Sequence, residues 1–272
     1  MTTADPLDPT ANVADFDGIM ARWRAWSTAT RSANAGAALD LHYGRGDDET
    51  LDLFVPRPDA PLVAFFHGGY WRRLHKDDVS WVADGLLPHG IAVAVVNYGL
   101  APALTLEQIV AQARRAMTWL QVHGRKHGLA TQRISALGHS AGGHLGAMAA
   151  VAMPLRALIS LSGLHDLRPV ARSFANAWLH LDEMRARALS PALLPPAAPL
   201  PVLAVVGAGE SSAFAAQTNV LVEHWRRYGA TTTAQVSAGD DHFTLCERLR
   251  DPQDSLVARI AQLAIGQTDL GV

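Results

Sequence analysis

Residues 133–153 read RISALGHSAGGHLGAMAAVAM. The β-prone run RISAL (133–137) passes at once into Gly138-His139-Ser140-Ala141-Gly142, and that into an alanine-rich stretch suited to a helix. Strand, tight turn and helix are the context that a G-x-S-x-G nucleophile elbow requires. A sharp strand-to-helix turn tolerates only small residues beside the serine. It lifts the hydroxyl above the strand end and sets the helix N-terminus beneath it. The N–H of Ala141 is then aimed where an oxyanion would form. The pentapeptide alone would also suit an ordinary glycine-rich βα turn, and no other G-x-S-x-G occurs in the chain.

Working outward, four more apolar runs resemble RISALGH (133–139): PLVAFF (61–66), IAVAVVNY (91–98), ALISLS (157–162) and PVLAVVG (201–207). They are too continuous for half-exposed strands and too short for helices, as expected of parallel strands buried on both faces. TLEQIVAQARRAMTWL (105–120) between them is amphipathic. Leu106, Ile109, Val110, Ala113, Met117 and Leu120 share one face, and Thr105 with Gln108 fits a capping box. Further helices are expected over 77–87, 141–152, 213–228 and 254–265. AALDLHYG (37–44) and ETLDLFVP (49–56), separated by RGDD, predict an antiparallel hairpin ahead of the β/α part. The fold class is α/β: an open, mostly parallel sheet with helices on both faces. The Pro-rich stretch 167–200, with a short helical piece in SFANAWLHLDEMRARAL, predicts a lid over the strand ends.

The chain has 272 residues, 49% hydrophobic and 18% charged, with net charge −2. Such a chain buries a sizeable core and is neither disordered nor fibrous. Its charge offers no general pull toward nucleic acid or anionic lipid. One cysteine, Cys246, precludes an internal disulfide and gives no sign of secretion. The acidic start MTTADPLDPTANVADFD has no signal-peptide pattern, and the longest mostly apolar stretch (145–155) is far short of the roughly 20 residues that span a membrane. A cytoplasmic globular protein is expected. Trp23 and Trp26, three apart in ARWRAW, predict an N-terminal amphipathic helix packed on the domain.

Other residues join the serine. His67-Gly68-Gly69-Tyr70-Trp71 follows the strand PLVAFF, and its two glycines let backbone N–H groups approach a ligand closely. An HGG-type loop at this place supplies oxyanion donors, each worth roughly 3 kcal/mol of barrier. His242, in Asp240-Asp241-His242-Phe243, is the last of 12 histidines and stands where the base of a Ser–acid–His order falls. For the acid, Glu210 directly follows the strand PVLAVVG, and Asp166 in LSGLHDLRPV is the rival. Tyr70, Trp71 and His139 are candidate pocket residues, and Phe174 and Trp178 could add aromatic walls. Arg72 and Arg73 stand near the expected pocket rim. Gly207-Ala208-Gly209 lacks the third glycine of a dinucleotide loop, and His123 and His127 lack a third metal ligand, so neither metal nor other cofactor is expected.

Together HGGYW (67–71), NYGLAPALTLEQIVAQARRAMTWL (97–120), GHSAGGH (138–144), SGLHDLRP (162–169) and GDDHF (239–243) resemble the kynurenine formamidase (arylformamidase) family of α/β-hydrolases, a branch of the HGG-motif esterases. The similarity runs from about Ala37 to Leu249. It implies a single α/β-hydrolase domain over 1–272, with 1–36 as a helical extension and 167–200 as lid. It implies Ser140 as nucleophile, His242 as base, and Gly68, Gly69 and Ala141 as the oxyanion hole. In the family an aspartate typically stands at the position of Glu210, and an acidic residue at that of Ala213. The implied reaction is hydrolysis of an N-formyl aryl amide, with a carboxylesterase acting on small acyl or aryl esters as the alternative. The expected partner is a small molecule, with a homodimer as the expected assembly; nucleic acid and membrane are not expected.

Overall fold

The computed structural model describes residues 5–11 and 13–267. Among these, eight strands form one sheet: β1 (Ala38–His42), β2 (Thr50–Phe54), β3 (Ala60–Phe66), β4 (Ala92–Val96), β5 (Leu129–His139), β6 (Leu158–Leu161), β7 (Pro201–Gly207) and β8 (Thr231–Ser237). Their spatial order is β1-β2-β4-β3-β5-β6-β7-β8. β1 pairs antiparallel with β2 and β2 antiparallel with β4, and the remaining neighbours are parallel. This is the α/β-hydrolase arrangement, with the expected hairpin at its start.

The apolar runs are continuous because both faces of the sheet are covered. On β3, Leu62, Ala64 and Phe66 enter one core while Val63 and Phe65 enter the other, the period-2 alternation of a strand buried on both sides. Helices Leu106–His123 and Ala141–Ala152 contribute to the first core, and Phe16–Ala33 and Ser255–Ile265 to the second. The capping box of Thr105 and Gln108 is formed. Among the described residues no helix is long and apolar enough to cross a membrane.

Two expected helices are broken. Over 77–87 the chain forms short α and 3-10 turns between Lys76 and His89. β-Branched Val79 and Val82, Gly85 and Pro88 leave no stretch with strong helix preference. Within 167–200 the helical piece divides into Asn176–Leu179 and Glu183–Ala188, because His180 takes a left-handed φ of 50° and Asp182 caps a new helix.

The N-terminal helix Phe16–Ala33 is pinned at its middle and at its far end. Trp23 and Trp26 pack edge-on against Trp81 at 5.1 and 5.6 Å, and Trp23 Nε1 donates to Glu247 at 2.8 Å. At its far end Arg31 lies 3.2 Å from the buried Asp52, which also receives the fully buried Lys76 at 3.0 Å. Stripping one partner from such a buried ion cluster costs about 3–5 kcal/mol. This anchoring brings Phe16, Met20 and Trp23 to the C-terminal ends of the strands.

Candidate active site

Ser140 follows β5 directly and takes φ 55° and ψ −120°, a strained conformation for a side chain other than glycine. Its N–H donates to Leu161 O at 2.8 Å, and its carbonyl accepts from Gly143 N at 2.9 Å. The flanking glycines are sterically required. A Cβ on Gly138 would overlap the Gly142 carbonyl, and one on Gly142 would overlap the carbonyl oxygen of Phe66. The small residues of the motif are therefore what lets β5, β3 and the helix Ala141–Ala152 meet at one point.

The HGGYW loop lies against this elbow. A Cβ on Gly68 would stand 3.2 Å from Ser140 Cβ, so no larger side chain fits between loop and serine without displacement. Gly69 has φ +91° and a Cβ there would run into Arg73 O. The Gly68 carbonyl accepts from the Tyr98 hydroxyl at 3.3 Å, and the Gly69 carbonyl accepts from Arg72 and Arg73 N–H, both at 3.0 Å. In planar trans peptides this turns the Gly69 and Tyr70 N–H groups the opposite way. Among the described residues no acceptor takes the N–H of Gly69, Tyr70 or Ala141. Tyr70 N–H is a donor that sequence reasoning missed. The loop is braced by His67, which stacks on Tyr98 at 4.1 Å and whose imidazole is pushed down to about 4 by burial.

Glu210 and His242 come together. His242 Nδ1 lies 2.7 Å from Glu210 Oε2, and both side chains are almost fully buried. Glu210 Oε1 also accepts from Gly207 N at 2.7 Å and from the Ser162 hydroxyl at 2.5 Å. The turn after β7 folds the carboxylate back on its own backbone, which accommodates the extra methylene of glutamate. Ser162 opens the SGLHDLRP stretch (162–169), but sequence reasoning assigned it no role of its own. Asp166 is engaged elsewhere: it caps the helix Leu167–Val170 and holds Arg168 at 2.7 Å.

Ser140, His139 and His242 line one cavity of about 730 Å³, although no hydrogen bond joins the Ser140 hydroxyl to the imidazole. His139 contacts His242 directly, with ring centroids 4.6 Å apart and its Nε2 2.8 Å from His242 O. Burial, and then the neighbouring His242, drive its pKa well down, so His139 is a neutral donor that fixes the backbone of residue 242. Tyr70, Phe174 and Trp178 line the same cavity, as do Arg72 and Arg73. Trp71 does not, contrary to expectation. Consecutive left-handed φ values at Tyr70 and Trp71 (52° and 54°) send the indole inward, where it is fully buried 5.1 Å from His144. Further wall comes from Asp8, Pro9, Phe16, Met20 and Trp23, of which the sequence singles out Trp23 alone.

The chemistry available is acyl transfer: a strained serine, a carboxylate-bound imidazole and free N–H groups around one cavity. The BD-FAE family profile matches residues 51–163. The chain is 29% identical to the kynurenine formamidase of Danio rerio, over 93% of this chain and 90% of that protein. It is 31% identical to the kynurenine formamidase of Salmo salar, over 80% and 78% respectively. A putative thioesterase from Silicibacter sp. TM1040 superposes with a TM-score of 0.82 at 33% identity, covering 95% of this chain and 98% of that one.

Proposed function

The chain belongs to the kynurenine formamidase family and is a hydrolase of the α/β-hydrolase fold, and on that premise we propose that it cleaves an N-formyl aryl amide of the N-formylkynurenine type to arylamine and formate. In this reading the chain is one catalytic domain with 167–200 as its lid. Ser140 Oγ attacks the formyl carbon while His242 Nε2 takes its proton, and Glu210 holds the proton on Nδ1 and stabilises the imidazolium. The oxyanion is received by N–H groups of Gly68, Gly69 and Ala141, with Tyr70 N–H as a further donor. Collapse breaks the C–N bond, and His242 gives its proton to the leaving aryl nitrogen. A water activated by the same imidazole then attacks the formyl ester, freeing formate and restoring Ser140.

The observation that carries this reading is the 2.7 Å contact between His242 and Glu210 beside the strained Ser140. The cavity wall supports the substrate class. Tyr70, Phe174 and Trp178 suit an aryl ring. Asp8, Asp17, Arg72 and Arg73 line the same space, and none of the four is in an ion pair among the described residues. They suit the ammonium and carboxylate of an amino-acid headgroup. The buried, unpaired Cys246 fits a reducing compartment, the cytoplasm.

A carboxylesterase is the second reading, favoured by the similarity of part of the chain to ester hydrolases. The test is kcat/KM on N-formylkynurenine beside aryl formate, acetate and butyrate. The formamidase reading expects a sharp preference for formyl, and similar rates across acyl lengths would replace it with the esterase.

A further inference from the structure

The residues ahead of the helix Phe16–Ala33 hold none of the catalytic groups, yet they are fastened to the site. Leu7 is buried, and its carbonyl accepts from the Tyr70 hydroxyl. The Pro6 carbonyl accepts from the Ser211 hydroxyl. The Asp5 carboxylate accepts from Phe174 N–H at 2.9 Å. Three successive residues are thus hooked to three walls: the HGGYW loop, the loop that carries Glu210, and the segment 167–200. The course of the segment is locally fixed as well. Asp5 and Asp8 each accept an N–H two residues on, from Leu7 and Thr10, both at 2.9 Å, while Pro6 and Pro9 restrict φ.

Asp8 and Pro9 border two cavities. One is the 730 Å³ space that contains Ser140. The other, of about 400 Å³, is lined by Glu210, Phe214 and Asp241. His242 borders both. The dipeptide therefore stands as a partition beside the imidazole, with the nucleophile on one side and the acid's surroundings on the other.

We infer that residues 5–10 are a specificity-determining strap, which sets the largest substrate the site accepts by closing the cavity of Ser140 against its neighbour. Without the strap the two spaces merge, and an acyl or aryl group too long for the first runs on into the second. The inference rests on Ser140 as nucleophile and is independent of the choice between amide and ester.

The test compares kcat/KM for para-nitrophenyl acetate and octanoate in the full chain and in a chain lacking residues 1–10, per site labelled by a fluorophosphonate. The octanoate-to-acetate ratio should rise by at least about ten-fold in the shortened chain, mainly through KM, a range that apolar pocket contacts command. An unchanged ratio overturns the strap. A full-length chain that takes no label at Ser140 overturns the nucleophile assignment instead, which keeps the two failures apart. If the shortened chain does not fold, Asp5→Ala combined with Ser211→Ala releases two hooks and leaves Leu7 in place. The ratio should then rise by at least about three-fold, and an unchanged ratio again refutes the inference.

Discussion

Exchanging Glu210 for glutamine preserves shape and removes only the charge. In the native site Oε1 accepts from Ser162 at 2.5 Å and from Gly207 N at 2.7 Å, and Oε2 faces His242 Nδ1 at 2.7 Å. A glutamine keeps its carbonyl oxygen on Ser162 and Gly207 only by turning its NH₂ toward His242. Nδ1 must then accept, so the ring proton moves to Nε2, the nitrogen that has to receive the Ser140 proton. A wrong tautomer of this kind costs about 10⁴ in kcat in the serine-protease triad, or about 5.5 kcal/mol of barrier. All three hydrogen bonds survive, the one to His242 with donor and acceptor exchanged, so stability should change by no more than about 1 kcal/mol. Glu210→Asp draws the carboxylate back by about one C–C bond, ~1.5 Å, and stretches the contact to His242 beyond hydrogen-bonding range. Its loss in kcat should also be large, now with reduced stability because Ser162 and Gly207 lose their acceptor too. The assay is turnover of an aryl acetate and of N-formylkynurenine, per site titrated with a fluorophosphonate, with a thermal melt in parallel. A Glu210→Gln enzyme within about ten-fold of wild type would refute the assignment.

Gly142→Ala places a Cβ on the Phe66 carbonyl. It should cost about 1–3 kcal/mol of stability through overpacking and most of the activity, read by melt and turnover; a fully active variant would contradict the tight elbow. Trp178→Ala removes the donor to Tyr70 O at 3.1 Å and the ring under the Arg72 guanidinium at 4.7 Å. It should raise KM for aryl substrates by about ten-fold with kcat little changed, which steady-state kinetics would show. Burial pushes His67 and His144 down to about 4 and His165 to about 3. Their folded pKa values lie below the unfolded value near 6.5, so below that pH the unfolded chain takes up protons that the native state does not. Stability is therefore present above pH ~6.5 and lost as pH falls toward 4, by about 2 kcal/mol per histidine at pH 5. Against a total of about 5–15 kcal/mol this predicts cooperative unfolding by circular dichroism between those limits, and a native spectrum with undiminished denaturant resistance at pH 4.5 would contradict it.

The strands were legible because burial on both faces leaves an uninterrupted apolar record, as in PLVAFF and PVLAVVG. Ser140 was legible because steric crowding dictates glycine at 138 and 142. Glu210 could be chosen over Asp166 by its place after β7, and in the structure it is Glu210 that lies 2.7 Å from His242. What escaped depends on contacts distant in sequence or on local backbone that composition does not encode. Trp71 faces inward because two adjacent residues adopt left-handed φ, and aromatic identity alone says nothing of that. The break at His180 has the same origin. The cavity wall of Phe16 and Met20 is supplied by a helix held through Glu247, more than two hundred residues away in the chain, and that of Asp8 and Pro9 by the segment ahead of it. Ser162 reaches Glu210 across 48 positions and leaves no trace in spacing.

The most direct test of the catalytic account is formate release from N-formylkynurenine by the wild-type chain and by Ser140→Ala, measured beside each other at matched folded concentration. Multiple turnovers by the wild type and none above the uncatalysed rate by the variant are predicted. Formate release that survives the loss of the Ser140 hydroxyl, or a folded wild type that releases none, would contradict it.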